Sequence, residues 1–293
     1  MPDPLPREFA EALESSRHRL GRLGSPVVFF STIESTNDIA SASARAGDCE
    51  GAVVIADRQT AGRGRRGHAW FSPAGSGLYV SIVLTPARAR VEGDRATTLL
   101  PLAAGVALAE AIDRMTALRV DIKWPNDLLV ARRKLGGILA EAVSAPLAPA
   151  ACEKLEPEAK LTPTGAARAL NSVDTVVVGY GINVGPMAYP PELSDRATSL
   201  ALELKRPVAR AQLWVETLAA MSRRYEDLLE GRFDAILDAW RERAPASRGA
   251  CVTWNTPEGL QAGVTEGIDS RGALLVRVGD CTERIVAGEI NWL

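Results

Sequence analysis

Short apolar runs bounded by turn-forming residues predict a series of strands in the first part of the chain. Residues 27–32 (VVFFST), 51–59 (GAVVIADRQ) and 77–84 (GLYVSIVL) are runs of this kind. After the first run, Ser35 and Thr36 offer a cap for a helix that continues with NDIASASARAG. Residues 97–115 are apolar on nearly every face, which predicts a helix buried in the core.

The middle of the chain predicts a second group of strands. The runs LRVDIKW and LLVARRK flank Pro125-Asn126-Asp127, a pattern typical of a hairpin. Two further strands are predicted by LGGILAEAV and DTVVVGYGINV. Between them, residues 144–173 are rich in Ala and Pro and have no clear period, so we expect an exposed, mobile insertion there.

In the last part of the chain, the hydrophobic pattern changes from helices to short strands. Residues 208–243 predict two helices broken near Gly231. Beyond Pro245, short strands alternate with turn signals, which predicts a small β-barrel that docks on the larger part. The start of the chain predicts one short amphipathic helix. The predicted division is therefore an N-terminal helix (1–24), a large domain that carries the candidate site (25–245) and a small β domain (246–293).

Composition excludes several classes of function. The 293-residue chain has a net charge of −2, so no global attraction to nucleic acid or to an anionic membrane is expected. Its four cysteines form no C-x-x-C pair and its two histidines are far apart, so no metal site is predicted from them. No signal peptide is recognisable, and the longest apolar run is shorter than the ~20 residues of a membrane span. We therefore expect a cytoplasmic protein with no membrane partner.

The stretch RQTAGRGRRGHAWFSP (58–73) contains G-x-G-x-x-G at Gly62, Gly64 and Gly67. A dinucleotide-binding turn needs a strand before these glycines, a helix that starts within them, and an acidic residue at the end of the next strand. The strand is present. The proline and glycines of HAWFSPAGSG prevent a helix, however, and the next strand ends in LTP. A dinucleotide site is therefore rejected.

The same loop is either an anion-binding loop or a solvated basic loop. Glycines allow consecutive backbone N–H groups to line a concavity. The arginines between them, Arg63, Arg65 and Arg66, add forked donors that suit phosphate or carboxylate. Trp70 and Phe71 follow at once and are able to close over a flat ring. These aromatic residues favour the anion-binding alternative.

Three more segments carry polar residues in unusual places, and each also has an ordinary structural explanation. KWPND (123–127) is either a functional cluster around a proline or a proline turn with a solvated lysine. RKLGGILAE (133–141) brings Lys134 to the start of an apolar strand, whose two glycines allow a ligand or another backbone to come close. GYGINVG (179–185) has a single polar residue, Asn183, which alone is a weak signal.

Together and in this order, these segments resemble the biotin protein ligases, also called biotin–[acetyl-CoA-carboxylase] ligases. The matching stretches are Ser35-Thr36-Asn37, Gln59, AGRGRRG, WFSP, KWPND, KLGGIL, GYGIN and the closing GEI. The resemblance implies a mixed-sheet α/β catalytic domain related to class II synthetases, followed by a small SH3-like β-barrel. It also implies an enzyme, a ligase that forms carbon–nitrogen bonds. With Mg²⁺ bound, biotin and ATP would react to biotinyl-5′-AMP and pyrophosphate. The biotinyl group would then pass to a lysine of a biotin carboxyl carrier domain, with release of AMP.

Two features depart from the family pattern. Some members begin with a DNA-binding domain and repress transcription, whereas residues 1–24 here have room for one helix, so no nucleic-acid partner is expected. The insertion at 144–173 is also longer than the family leads us to expect. The partner implied by the resemblance is the biotin carboxyl carrier domain of a biotin-dependent carboxylase, and a homodimer is compatible with it.

The resemblance implies roles for individual residues. The biotin-binding set comprises Ser35, Thr36, Asn37, Gln59, Arg63, Gly64, Arg65 and Lys134. The nucleotide-binding set comprises Arg66, Trp70, Asn126 and Asn183, with the Trp70 ring stacked on adenine. The catalytic set comprises Lys134, Arg65, Lys123 and Asp127, in which Asp127 orients or deprotonates the acceptor lysine.

The chemistry of adenylation agrees with this choice of residues. The carboxylate of biotin is already ionised at neutral pH, so no general base is needed to make it a nucleophile. Two anions must instead be brought together, and positioning and positive charge should dominate. The arginines of the loop, Lys123 and Lys134 supply that charge, and a magnesium ion would carry the rest.

Other functions remain open on the sequence alone. A lipoate ligase shares the fold and the adenylation chemistry, but it needs a longer apolar slot and no set of groups for a ureido ring. A non-catalytic sensor of biotin or nucleotide would use the same pocket without releasing pyrophosphate. A nucleic-acid binder that uses the arginine loop is disfavoured by the net charge.

Overall fold

The structure is a computed structural model that describes residues 1–46, 50–143, 175–257 and 259–292. The predicted insertion at 144–173 lies outside the described residues. Within them, every strand and helix that the hydrophobic pattern predicts is present, some with shifted ends.

A seven-stranded mixed sheet forms the centre of the molecule. Its strands, in chain order, are β1 (Val27–Phe30), β2 (Val53–Ala56), β3 (Gly77–Leu84), β4 (Asp121–Lys123), β5 (Asp127–Val130), β6 (Arg133–Val143) and β7 (Thr175–Asn183). Their order across the sheet is β1-β2-β3-β7-β6-β5-β4. β1 and β2 run parallel, and each later neighbour is antiparallel. All eight residues of β3 are buried, as expected for a strand covered on both faces.

Helices cover the sheet. They are α1 (Arg7–Ser16), α2 (Thr36–Arg45), α3 (Gly93–Thr116), α4 (Pro191–Ser194), α5 (Leu200–Leu204), α6 (Arg210–Leu229) and α7 (Phe233–Arg243). α6 and α7 are separated near Gly231, as predicted, and their indoles Trp214 and Trp240 are fully buried. In the described part of the chain, α3 alone is long and apolar enough to cross a membrane, and 72% of its most apolar window is buried in the protein. Such burial is what a core helix requires.

A second, five-stranded antiparallel sheet follows. Its strands are β8 (Arg248–Thr256), β9 (Gly259–Ile268), β10 (Leu274–Val278), β11 (Cys281–Ile285) and β12 (Asn291–Trp292), in the order β11-β10-β9-β8-β12. Its buried residues, including Val252 and Leu274, belong to the same hydrophobic cluster as those of α3. Trp124 of the first sheet donates a hydrogen bond from Nε1 to the carbonyl of Gly272, 2.9 Å away. The predicted fold class, an α/β domain with a small β domain docked on it, is confirmed.

Several elements end earlier than the pattern predicted, among them α1 and β1. The N-terminal helix was expected within residues 1–24. α1 ends at Ser16, where the chain tightens into a 3-10 turn (Arg17–Arg19) before it reaches the left-handed Gly21 (φ 55) and Gly24 (φ 81). β1 ends at Phe30 because the N–H of Ser31 donates to the carboxylate of Asp3 at 2.7 Å instead of continuing the strand ladder.

We predict that Gly272→Ala destabilises the contact between the two sheets. Gly272 has φ 80, and an added Cβ would lie 2.7 Å from Leu102 Cδ1 and 3.0 Å from Leu99 Cδ2, both on buried side chains of α3. Left-handed backbone costs an L-residue about 1–2 kcal/mol, and overpacking adds about 1–3 kcal/mol. The measurement is the free energy of unfolding by denaturant.

Gly279→Ala is the matched control. Gly279 also has positive φ (58), but an added Cβ there meets nothing within 4 Å. It should show the backbone cost alone. Equal losses in the two variants would mean that Gly272 is not a packing point between the sheets.

Candidate active site

One cavity of about 510 Å³ lies between the two sheets and brings together residues from distant parts of the chain. It is lined by the start of α2, the arginine loop, the β4–β6 hairpins, β7 and the end of the second sheet. All the site residues predicted from the sequence line it: Ser35, Thr36, Asn37, Gln59, Arg63, Gly64, Arg65, Arg66, Trp70, Lys123, Asn126, Asp127, Lys134 and Asn183. Their individual roles remain predictions.

The arginine loop is a tight hairpin and not the start of a helix. The N–H of Gly64 donates to the carbonyl of His68 at 2.6 Å, and the N–H of Trp70 donates to the carbonyl of Gly62 at 2.8 Å. Between them lies a single short 3-10 turn, in which Arg66 is left-handed (φ 55). The rejection of a dinucleotide turn is therefore confirmed, since no helix N-terminus is present there to receive a pyrophosphate.

One end of the cavity is a wall of interconnected polar groups. Gln59 Oε1 accepts from the N–H of Thr36 at 2.9 Å and from its hydroxyl at 3.1 Å. Gln59 Nε2 donates to Ser72 Oγ at 3.0 Å. The hydroxyl of Ser81 lies 2.8 Å from Thr36 Oγ1 and 2.6 Å from Asn37 Oδ1. Thr36, Asn37 and Gln59 line the cavity, and the buried hydroxyls of Ser72 and Ser81 hold them from outside the lining. The three lining groups therefore form a preorganised surface for a small polar ligand group.

Ser81 was not predicted from the sequence. It is fully buried in the centre of β3, and the residues before and after it in the strand are apolar. A buried hydroxyl must find a partner, so a serine in the middle of an otherwise apolar strand is a usable signal for a polar site. That signal was present in GLYVSIVL.

Carboxylates that the sequence analysis did not identify hold Arg63. Its Nη2 lies 2.6 Å from Asp38 Oδ1 and 2.9 Å from Glu141 Oε2. Glu141 Oε2 also accepts from Asn37 Nδ2 at 2.8 Å. Arg63 thus ties the loop to α2 and to β6 beside the polar wall.

Glycines of β6 and β7 make a floor without side chains. Gly137 and Gly181 are direct neighbours across the two strands. The indole of Trp70 lies against them, so that a Cβ at Gly181 would overlap the ring and one at Gly137 would touch it at 3.4 Å. Trp70 Nε1 is buried and has no hydrogen-bond partner among the described residues. This nitrogen belongs to the ring edge that packs against Gly181, so the floor holds the indole by close contact and not by a hydrogen bond.

The other end of the cavity is cationic. Lys134 Nζ lies 2.6 Å from Asp127 Oδ1 and 5.5 Å from the centre of the Trp70 ring. Arg65 Nη1 donates to Asn126 Oδ1 at 3.4 Å and to the carbonyl of Gly288 at 3.3 Å. Positive charge is therefore collected where the second sheet meets the first.

Burial makes the charged forms of two cations at this end less favourable. It lowers the pKa of Lys123 and of Arg65 below their ordinary values, and the nearby carboxylate of Asp127 opposes the shift in both. Partial removal from water makes the charge of these groups costly when the cavity is empty. An anion in the cavity would relieve that cost, because opposite charges interact more strongly where water is excluded.

A β-bulge brings Lys134 into the cavity. β5 and β6 pair Asp127 with Gly137 and Leu128 with Gly136, but then Leu129 with Lys134, so that Leu135 is extra. Without the extra residue, strict alternation would place Lys134 and Gly137 on opposite faces. The bulge puts both on the cavity face, which is a common use of bulges near functional sites.

The two predicted nucleotide-binding asparagines make backbone contacts. Asn126 Nδ2 donates to the carbonyl of Ile138 at 2.7 Å. Asn183 is buried and its Nδ2 donates to the carbonyl of Thr198 at 3.0 Å. Both residues line the cavity, and both also fix its shape.

Metal-binding side chains are sparse here. Across the ranges that the structure describes, no group of three or more His, Cys, Asp or Glu side chains is able to enclose a metal ion. Asp127, Asp195 and Glu289 line the cavity as single carboxylates.

Comparison with known proteins agrees with the cavity. Residues 29–150 match the family model described as "Biotin/lipoate A/B protein ligase family". The bifunctional ligase/repressor BirA of Bacillus subtilis is 31% identical over 271 residues, which cover 92% of this chain and 74% of that protein. The chain belongs to the biotin protein ligase family. A second relative, the biotin–[acetyl-CoA-carboxylase] ligase of Paracoccus denitrificans, is 32% identical over 82% of this chain and 89% of that one.

Solved biotin protein ligases share the fold. The enzyme from Aquifex aeolicus in complex with biotin and ATP aligns with a TM-score of 0.70 and 26% identity, covering 91% of this chain and 98% of that structure. The resemblance seen in the sequence motifs is thereby confirmed.

We predict that Gly181→Ala releases the arginine loop. The methyl group would displace the indole of Trp70, and overpacking of this kind costs about 1–3 kcal/mol. The loop should then open more often, and trypsin should cleave near Arg65 about ten-fold faster, because cleavage follows the population of the open form.

Gly185→Ala is the control for this experiment. It lies just beyond β7, where an added Cβ would find ordinary contacts of 3.6 Å or more. Its cleavage rate should equal that of the unmodified protein. An unchanged rate in Gly181→Ala would show that the glycine floor does not hold the loop through Trp70.

Proposed function

We propose that this cavity carries out both half-reactions of an ATP-dependent biotin protein ligase. Biotin and ATP give biotinyl-5′-AMP and pyrophosphate, and the biotinyl group then passes to a lysine of a biotin carboxyl carrier domain. The observation that carries the proposal is the arrangement of the cavity: a polar wall at one end, cations at the other, and an indole on a glycine floor between them.

The polar wall suits the ureido ring of biotin. That ring is small and planar, with two N–H donors and one carbonyl acceptor. Thr36, Asn37 and Gln59 offer hydroxyl and amide groups on one side of the cavity, and the buried hydroxyl of Ser81 fixes Thr36 and Asn37. A site built to hydrogen-bond a ligand strongly disfavours an analogue that lacks those groups, because its own polar atoms are left unpaired. Lipoic acid has no ureido group, so the wall favours biotin over lipoate.

The cationic end suits the phosphates of ATP. The carboxylate of biotin must approach a negatively charged α-phosphate, and charge moves onto the departing pyrophosphate. Preorganised positive groups stabilise such a transition state without any covalent role for the protein. Lys134 is placed to contact the carboxylate and the α-phosphate, while Arg65 and Lys123 stabilise the phosphate groups. In this arrangement Arg63 closes the loop over biotin.

The nucleotide base belongs beside Trp70. The edge of its indole that carries Nε1 packs on the glycine floor, and the ring lines the cavity, where a flat base such as adenine can stack on it. Arg66, Asn126 and Asn183 complete the nucleotide-binding set in this proposal.

A magnesium ion fits the available carboxylates. Mg²⁺ in nucleotide sites is usually held by one or two carboxylates and by the phosphates themselves, so a cage of several protein ligands is unnecessary. Asp127 is the residue that would hold it, and the ion would neutralise charge on the phosphates. After pyrophosphate has left, the same carboxylate faces the point of transfer and is placed to orient the acceptor amine.

We propose that the small β domain (246–293) is part of the active site. Its last segment supplies the carbonyl of Gly288 to Arg65 and lines the cavity as far as Trp292. The acceptor is the biotin carboxyl carrier domain of a biotin-dependent carboxylase, which must reach Asp127 and Lys134 through the open side of the cavity.

The first half-reaction is tested by biotin-dependent exchange of labelled pyrophosphate into ATP. We predict that Lys134→Ala lowers the exchange rate at least ~10²-fold, the scale for loss of one preorganised charge. Folding should be little affected, because Lys134 is only partly buried. Lys205→Ala, at an exposed position outside the cavity, is the control and should exchange normally.

Two results would contradict the proposal. Near-normal exchange in Lys134→Ala would remove this residue from the reaction. Exchange that depends on lipoic acid but not on biotin would show that the polar wall has been assigned to the wrong acid.

A further inference from the structure

The turn between β5 and β6 has an unfavourable backbone for its sequence. Val130 pairs with Arg133, so the turn consists of Ala131 and Arg132 alone. Both are left-handed, with φ 47 and φ 66. Two-residue hairpin turns with positive φ at both positions favour Asn-Gly, and each ordinary L-residue there is disfavoured by its Cβ. Ala-Arg is therefore a costly choice at this position, and such sites concentrate where function requires a particular side chain.

The turn places the side chain of Arg132 at the cationic end of the cavity. Arg132 lines the cavity, and its Cζ lies 5.3 Å from the centre of the Trp292 ring. Lys123 Nζ lies 5.3 Å from the same ring. Trp292 belongs to β12 of the second sheet, so one indole from the small domain holds two cations of the large one.

The charge of Arg132 is not neutralised by any carboxylate among the described residues. Its neighbour Arg133 forms a salt bridge with Glu203 at 2.6 Å. Arg132 has no carboxylate within salt-bridge distance in the ranges that the structure describes. Its guanidinium instead makes a cation–π contact with the Trp292 ring. Two like charges beside one ring repel each other unless an anion lies near both. The pair of cations thus forms a place for a multiply charged anion.

The direction of β6 indicates which anion this is. Along the strand, Glu141 contacts the polar wall, Gly137 lies under Trp70, and Lys134 follows at the point of reaction. Arg132 comes next, just beyond the end of the strand and on the side away from the polar wall. In-line displacement places the leaving group opposite the attacking carboxylate. A cation beyond Lys134 therefore faces the leaving group.

We propose that Arg132, held by Trp292, binds the β- and γ-phosphates of ATP and the departing pyrophosphate. This inference rests on the proposed function and adds two residues to its phosphate site. Arg132 is the phosphate-binding residue, and Trp292 is a positioning residue that acts through Arg132 and Lys123. The small β domain then contributes to ATP binding by holding these cations in place.

The test uses the strained turn to separate binding from folding. Ala131→Asn keeps Arg132 and relieves one strained position, so it should raise stability and leave the KM for ATP unchanged. The double variant Ala131→Asn/Arg132→Gly relieves both positions. It should be at least as stable as Ala131→Asn, yet its KM for ATP should rise about ten-fold, with the KM for biotin unchanged. A residue with a merely structural role would not weaken ATP binding while stability rises.

Direct titration with inorganic pyrophosphate and magnesium gives a readout that does not need catalysis. Pyrophosphate should bind Ala131→Asn about ten-fold more tightly than the double variant, whereas AMP should bind both equally. Arg132→Lys should restore part of the pyrophosphate affinity. Trp292→Leu should lose affinity, and Trp292→Phe should keep most of it, because the ring and its cations are retained.

Equal pyrophosphate affinities in Ala131→Asn and in the double variant would overturn the inference. So would a parallel loss of AMP affinity, since that would place Arg132 at the nucleoside end. Absence of biotin-dependent exchange in the unmodified protein is a different failure. It would contradict the proposed function, while the pyrophosphate titration would still report on Arg132.

Discussion

The pairing of β6 with its two neighbours is the constraint on which the site depends. On one side, β6 pairs with β7 in a register that sets Gly137 opposite Gly181 and so creates a floor for a flat ring. On the other, the bulge against β5 rotates Lys134 onto the same face as that floor. One strand thereby fixes the order of the polar wall, the ring and the cations. A different register on either side would send one of these groups to the opposite face of the sheet.

The small β domain completes what the large sheet begins. The large sheet alone would leave its cations exposed at the edge formed by β4 and β5. The second sheet covers them with Trp292 and with the carbonyl of Gly288, while Trp124 reaches across to Gly272. Buried cations interact with an anion more strongly than exposed ones, because less water screens them. In the proposed function, the docking of the two sheets therefore contributes to phosphate binding.

The sequence was sufficient to find the elements that carry local signals. The glycine-arginine loop, the hairpin around Pro125 and the glycines of β7 each show an unusual residue type in a short window. The rejection of a dinucleotide turn was also local, because proline and glycine exclude a helix after the loop. The full set of site residues came from the resemblance to the biotin protein ligases, and all of them line one cavity.

The features that the sequence did not reveal depend on long-range pairing. The bulge at Leu135 is a property of two strands together, and neither strand shows it alone. Glu141 and Trp292 looked like an ordinary strand carboxylate and an ordinary terminal aromatic until the fold placed them beside Arg63 and Arg132. Ser81 is the exception, since a lone hydroxyl in an apolar strand was visible in advance.

A crystal structure with a non-hydrolysable biotinyl-adenylate analogue would show how the ligand lies along β6. We expect the ureido ring within hydrogen-bond distance of Thr36 and Gln59. The acyl-phosphate mimic should lie beside Lys134, and the ligand should fold back there so that its adenine lies against Trp70. A reversed ligand, with its adenine at the polar wall and its ureido ring among the cations, would contradict this expectation.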